Sequence, residues 1–264
     1  GLGGLAGVVA AAQDGRADYE KYFMSNAFLT NHSLSFSGSS DRNSYYVSLE
    51  YQGNQGIEKD HTNEYKAYIR DLLDITRKVK LDLSLNAYHS DHSSHILSSG
   101  SDSPQHLTKI PYALFYGDDG SELSFTHYIM NSETQTAAQT ASGVNLDYYP
   151  ISDYTNSTNG SQSYTVRANA GLTVNLLDWL TYEGRFQYSI NNANTKTYYP
   201  GSTYKVRFDR VCGTSQDGTS YLPASGGYFT MGDSYNASYT VRNQLSFNKS
   251  FEAFGNSSNQ ITAL

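Results

Sequence analysis

The sequence predicts an all-β chain: an arc of a large antiparallel transmembrane β-barrel, with about eight strands present. Three observations carry this expectation. Apolar and polar residues alternate for about a dozen positions per run, as in "SYTVRANAGLTVNLLDWLTYEGRFQYS", 163–189. The stripe opposite the apolar one carries Lys80, Arg167, Glu183, Arg185 and Arg242, so it does not face a second apolar layer. The links between runs alternate between short and very long, and long links are usually functional.

Each run follows the same rule. Residues 1–30 read as an N-terminal loop in which 17–29, "ADYEKYFMSNAFL", is the candidate for a short helix; 31–264 read as the partial barrel. Leu34 and Phe36 alternate with serines. After "GSSDRN", Tyr45, Val47, Leu49 and Tyr51 alternate with Tyr46, Ser48, Glu50 and Gln52. Residues 64–73 are less regular. After "DITRK", Leu81, Leu83, Leu85 and Ala87 alternate with Lys80, Asp82, Ser84 and Asn86. The pair at 163–175 and 180–190 follows, then Tyr239, Val241, Leu245 and Phe247, and a last run from Asn259. No stretch shows a strong helical period. The long links are 54–63, 92–162 and 192–238.

Strand length points to a bilayer. Twelve residues at about 3.3 Å each reach about 40 Å. Tilted by about 45°, they cross about 28 Å, close to the hydrocarbon thickness. Soluble strands usually run about 5–6 residues. Tyr51, Tyr164, Tyr188 and Tyr239, near strand ends, suit interfacial girdles. Arg167, Glu183, Arg185 and Arg242 are expected to face a watery lumen. Eight strands closed on themselves would fill their interior with side chains. The many long polar groups of that stripe fit an arc of a wider barrel better.

Composition agrees. Of 264 residues, only 16% are charged, Tyr reaches 24 and Pro stays at 5, a balance that suits strands. A net charge of -7 argues against a nucleic-acid partner, whose phosphates would be repelled. The single cysteine, Cys212, allows no intramolecular disulfide. "GLGGLAGVVAAA" is too short and glycine-rich for a membrane helix, and no basic segment precedes it as in a signal peptide. Both ends read as cut, so a fragment is expected.

Three stretches carry a resemblance. "NHSLSFSGSSDRNSYYVSLEYQGNQGI" resembles the barrel-start motif of SusC/RagA-type TonB-dependent transporters of Bacteroidetes. "DWLTYEGRFQYS" and "YTVRNQLSFNKSF", continuing to "NQITAL", are similar to later barrel motifs of that family, in family order. The resemblance implies a 22-stranded barrel of the Gram-negative outer membrane with a plug in its lumen. It implies short periplasmic turns, long extracellular loops, and nutrient uptake of oligosaccharides or peptides. A SusD-like lipoprotein would form the lid, and the TonB complex would act through a plug region that this chain does not contain. The alternative is a soluble or surface β-rich carbohydrate-binding module.

Candidate sites are few. Aromatics gather in the long links: Tyr112, Phe115, Tyr116, Tyr148, Tyr149, Tyr154, Tyr198 and Tyr199. A tyrosine offers a flat apolar face and a hydroxyl, which suits glycan or peptide contact; packing within the loops or lid docking uses the same rings. His89, His92 and His95 are imidazoles three apart, but a strand does not put that spacing on one face. Asp118, Asp119 and Glu122 in "YGDDGSE" lack the alternating ligand pattern of a calcium loop and read as a turn. No metal or cofactor is expected. No catalytic triad, paired catalytic carboxylates or phosphate loop stands out, so an enzyme is not expected.

Overall fold

A computed structural model describes residues 7, 9–10, 13–15, 18–96, 113–252 and 258–263. Eight antiparallel strands form one sheet in sequential order: β1 (Phe28–Ser39), β2 (Asn43–Gln55), β3 (His61–Thr76), β4 (Val79–His95), β5 (Thr158–Leu177), β6 (Leu180–Tyr199), β7 (Tyr228–Glu252) and β8 (Ser258–Ala263). The sheet is open, with β1 and β8 at its edges. Links 40–42, 77–78 and 178–179 lie at one end, and 56–60, 96–157 and 200–227 at the other.

The strands run longer than the alternation predicts. β5 and β6 have 20 residues each and β7 has 25. The extensions are polar, as in "NNANTKTYY" of β6, where the apolar alternation stops. The ladder continues because each extension meets another: Asn194 opposes Gln162 on one side and Asp233 on the other. Backbone pairing needs no apolar side chain, so pattern reading truncates these strands.

The long links also hold helices that periodicity missed. α1 (Tyr19–Phe23) falls inside the expected 17–29 stretch but spans five residues. Link 96–157 carries α2 (Thr126–Ile129), α3 (Ser132–Ser142) and α4 (Pro150–Asn156); link 200–227 carries α5 (Tyr204–Cys212). α3, "SETQTAAQTAS", buries no side chain and so has no apolar stripe to find. Its ends are marked by caps: Asn131 Oδ1 accepts from the Thr134 N–H at 2.7 Å, and Gly143 takes φ +67°.

Among the described residues, the buried hydrophobic core lies outside the strands. Phe23, Ala113, Phe115, Phe125, Leu146, Tyr148, Tyr154 and Tyr204 pack together at the long-link end. Phe115 stacks on Phe125 at 5.0 Å between centroids, and Phe23 meets the edges of Phe115 and Tyr154 at 5.5 and 5.2 Å. This cluster makes a cap on one end of the sheet.

Candidate functional site

Register assigns the two faces of the sheet. Directly opposed residues share a face, so the row Phe36, Val47, Ile69, Leu85, Ala168, Tyr188, Tyr239 lies on one side across seven strands. This face is apolar and exposed: Phe36 is 56% accessible and Val241 58%. It is bounded above by a row of rings, His32, Tyr51, Tyr65, His89 and Tyr164, whose neighbours lie 6.2, 5.2, 5.8 and 4.2 Å apart. The next row outward is polar: Thr30, Gly53, Asn63, Asp91, Gln162, Asn194 and Asp233. At the short-turn end Trp179 meets the Phe247 edge at 5.0 Å under Lys249. Asn43 and Asp71 interrupt the face near that end on β2 and β3.

The opposite face holds the charges. Arg70 grips Asp82 with Nε at 3.0 Å and Nη2 at 2.9 Å. Lys66 bridges Glu50 and Glu64 at 3.1 and 3.2 Å, and Lys80 lies 3.5 Å from Asp74. Glu183 pairs with Arg185 on its own strand and with Arg242 of β7 at 3.2 Å. Arg167 shares this face through its partners Asn86 and Ser189. The register thus gathers Arg167, Glu183, Arg185 and Arg242 on one side. Exposed pairs of this kind add little stability each, so they mark a wet surface more than a structural clamp.

Carboxylates and one arginine tie the cap together. Glu122 accepts from the Ile151 N–H at 2.7 Å and the Ser152 N–H at 3.1 Å, capping the start of α4. Asp153, buried in α4, accepts from the Tyr204 N–H at 2.7 Å and so caps α5 of the other long link. Arg207 of α5 donates to the carbonyls of Asn145 and Asp147 at 2.8 and 2.7 Å. The Tyr154 hydroxyl donates to the Glu58 carbonyl at 2.5 Å, and Lys59 Nζ to the Tyr22 carbonyl at 2.6 Å, fastening link 56–60. Burial, with the Glu58 carboxylate close by, pushes the Tyr19 and Tyr154 hydroxyls up to about 12.

These ties were not legible as motifs. Glu122, Asp153 and Arg207 work across 29 to 62 positions of chain, and only the helix-start context of Pro150 hinted at a cap.

The predicted loop aromatics divide. Phe115, Tyr148 and Tyr154 are buried in the cap core at 2%, 0% and 3% accessibility. Tyr116 packs against that core, and Tyr149 is half-buried at the start of α4. Tyr198 and Tyr199 belong to the end of β6 and not to a loop, because the ladder with β7 extends to Tyr199–Tyr228. Tyr198 is exposed; Lys205 lies over the Tyr199 and Tyr228 rings at 5.8 and 5.7 Å. Tyr112 lies outside the described residues.

The histidines separate, as strand geometry requires. His89 stacks in the apolar-face ring row, His92 lies on the other face bonded to Thr62 at 2.9 Å, and His95 packs beside Tyr154. Asp119 accepts from the Ser121 N–H and hydroxyl, a local turn whose hydrogen bonds hold its carboxyl below the usual range, while Glu122 turns to α4. Among the described residues no group of three His, Cys, Asp or Glu side chains converges on a metal position.

The fold is thus a long antiparallel sheet with one exposed apolar face, one charged face and a folded cap at one end. No family model matches the chain, and no curated protein matches it. Solved structures of the RagAB peptide importer do match. Its closed-closed state and a structure of the RagAB peptide transporter each give a TM-score of 0.63 at 17% identity over 90% of this chain. The open-open state gives the same score and identity over 89%. The chain spans about a quarter of the length of those chains, 24%, 24% and 23% respectively. At that identity the likeness is one of fold.

Proposed function

We propose that this chain is an arc of the wall of an outer-membrane TonB-dependent importer for oligosaccharides or peptides. One observation carries the reading: the exposed apolar face, framed by aromatic rows and backed by a charged face. From Tyr164 to Leu177 along β5, at about 3.3 Å per residue, the apolar stripe covers about 43 Å. At a tilt of about 45° that matches the roughly 30 Å of bilayer hydrocarbon. Lipid contact there would return the large exposed side chains to an apolar medium. Every backbone group would be paired once the two open edges continued into further strands of a closed barrel. The charged face would line a watery lumen.

On this reading the cap stands at the outer surface and the short turns face the periplasm. The cap and the exposed Tyr198 at the end of β6 then meet cargo, or a SusD-like lipoprotein lid. Coupling to TonB would pass through a plug held by the rest of the protein. The likeness of fold to the RagAB peptide importer supports the reading, as does the resemblance of the three strand motifs.

Fractionation tests it. The full-length gene product should travel with the outer membrane and need detergent for extraction. Quantitative recovery in the aqueous phase would refute the proposal and favour a soluble β-rich binding module.

A further inference from the structure

A cavity of about 610 Å³ lies where the cap meets the sheet. Its walls are the rings of Tyr19, Phe23 and Tyr154, and its rim carries Glu58 and Asp60. His92, Ser94 and His95 close it from the end of β4, His92 and Ser94 having the parity of Asp82 on the charged face. We propose that this cavity is a subsite for a cationic nitrogen of a peptide, either its amino terminus or a lysine or arginine side chain. The inference rests on the import reading above and narrows its cargo.

Three features favour a cation. Glu58 and Asp60 make no ion pair or side-chain hydrogen bond among the described residues. Lys59, the nearest basic neighbour in sequence, is turned to the Tyr22 carbonyl and does not line the cavity. The half-buried Tyr19 ring, stacked on Phe23 at 4.8 Å, supplies aromatic surface of the kind that attracts ammonium and guanidinium groups, while Phe23 and Tyr154 belong to the buried cap core. Burial is the main cause of the raised Tyr19 and Tyr154 hydroxyls; Glu58 adds to both and Asp60 to Tyr154. The volume falls in the usual range for small-ligand pockets, about 300–1,000 Å³. An acidic glycan would be repelled by the two carboxylates, and a neutral one would meet them through hydroxyl hydrogen bonds alone, without the charge attraction.

The position of Asp60 is built in. It folds over Gly56, where a side-chain carbon would collide with its carboxylate, and the Gly56 N–H donates to the Asp60 carbonyl at 2.8 Å. The glycine therefore leaves room for the carboxylate at the rim.

The test compares two probes on the full-length gene product in detergent, by calorimetry. One is a Ser/Ala/Gly peptide with a free amino terminus and one lysine. The other is the same peptide, N-acetylated, with glutamine for lysine. The basic peptide should bind at least about tenfold tighter, and the advantage should shrink as salt rises. The double variant Glu58→Gln, Asp60→Asn should abolish the advantage while neutral-peptide affinity stays within about twofold. Equal binding of the two peptides by the unaltered protein overturns the subsite and leaves the import reading standing. Binding of neither peptide also overturns it, and fractionation then judges the import reading separately. If the variant fails to reach the membrane, the salt series on the unaltered protein decides.

Discussion

The His89 imidazole lies flat on the Tyr164 ring, 4.2 Å between centroids and 13° between planes, at the β4–β5 pairing. The pair closes a row of rings that begins at His32 and crosses five strands. On the same face, Ala87 lies one row inward and Asn63 one row outward. Tyrosine belts sit at headgroup level in membrane proteins. A nitroxide placed at Ala87 should therefore relax with dissolved oxygen, and one at Asn63 with a water-soluble nickel chelate. Equal accessibility at both positions would remove the boundary.

Leu172 sits on the apolar face opposite Leu81 and Gly184, well inside the ring row. If the chain is a membrane wall as proposed, Leu172→Arg should cost about 2–4 kcal/mol in the intact barrel, because a charge there would meet hydrocarbon. Arg167→Gln on the other face should stay within about 0.5 kcal/mol. Folding titrations into lipid vesicles measure both, and matching costs would invert the assignment of faces.

Tyr154 fastens α4 to link 56–60 through its hydroxyl. Tyr154→Phe should loosen the cap by about 1 kcal/mol, the usual value of one such bond. The hydroxyl titrates at about 12 in the fold against 10.0 when free. A raised value means that its contribution is complete below pH 10 and is lost as pH climbs from 10 to 12. Near-ultraviolet dichroism of the cap should fade across that window and shift to higher pH in Tyr154→Phe. A cap signal that is flat through pH 12 in the unaltered protein would contradict the burial argument.

Topology is open to protease. Links 96–157 and 200–227 share one end of the sheet, and 40–42, 77–78 and 178–179 the other. Protease added to intact cells should cut in the first set and spare the second. Cleavage confined to the short turns would turn the sheet over in the membrane.

Glu183 sits between Arg185 and Arg242. Both pairs are solvated, so Glu183→Gln should cost no more than about 1 kcal/mol by thermal melting. A loss of several kcal/mol would mean that this face is dry and packed in the intact protein.

Much of the sheet was legible in the chain. Side chains of a strand alternate with a period of two, so Leu172 and Arg167, five positions apart, fall on opposite faces wherever the strand lies. The alternation of short and long links fixed which turns share an end. The strand ends were not legible: Asn194 extends β6 because Gln162 and Asp233 flank it, and no local pattern states that. The cap was hidden for a related reason. Phe115, Tyr148 and Tyr154 look like contact residues in sequence, yet they are buried, because folded loops need a core of their own. Asp153 meets Tyr204 and Glu122 meets Ile151 only after distant links fold back on one another. The sequence by itself determined the faces, since alternation is a property of the backbone. Tertiary structure alone decided the cap and its acid-rimmed cavity, since both depend on contacts between segments far apart in the chain.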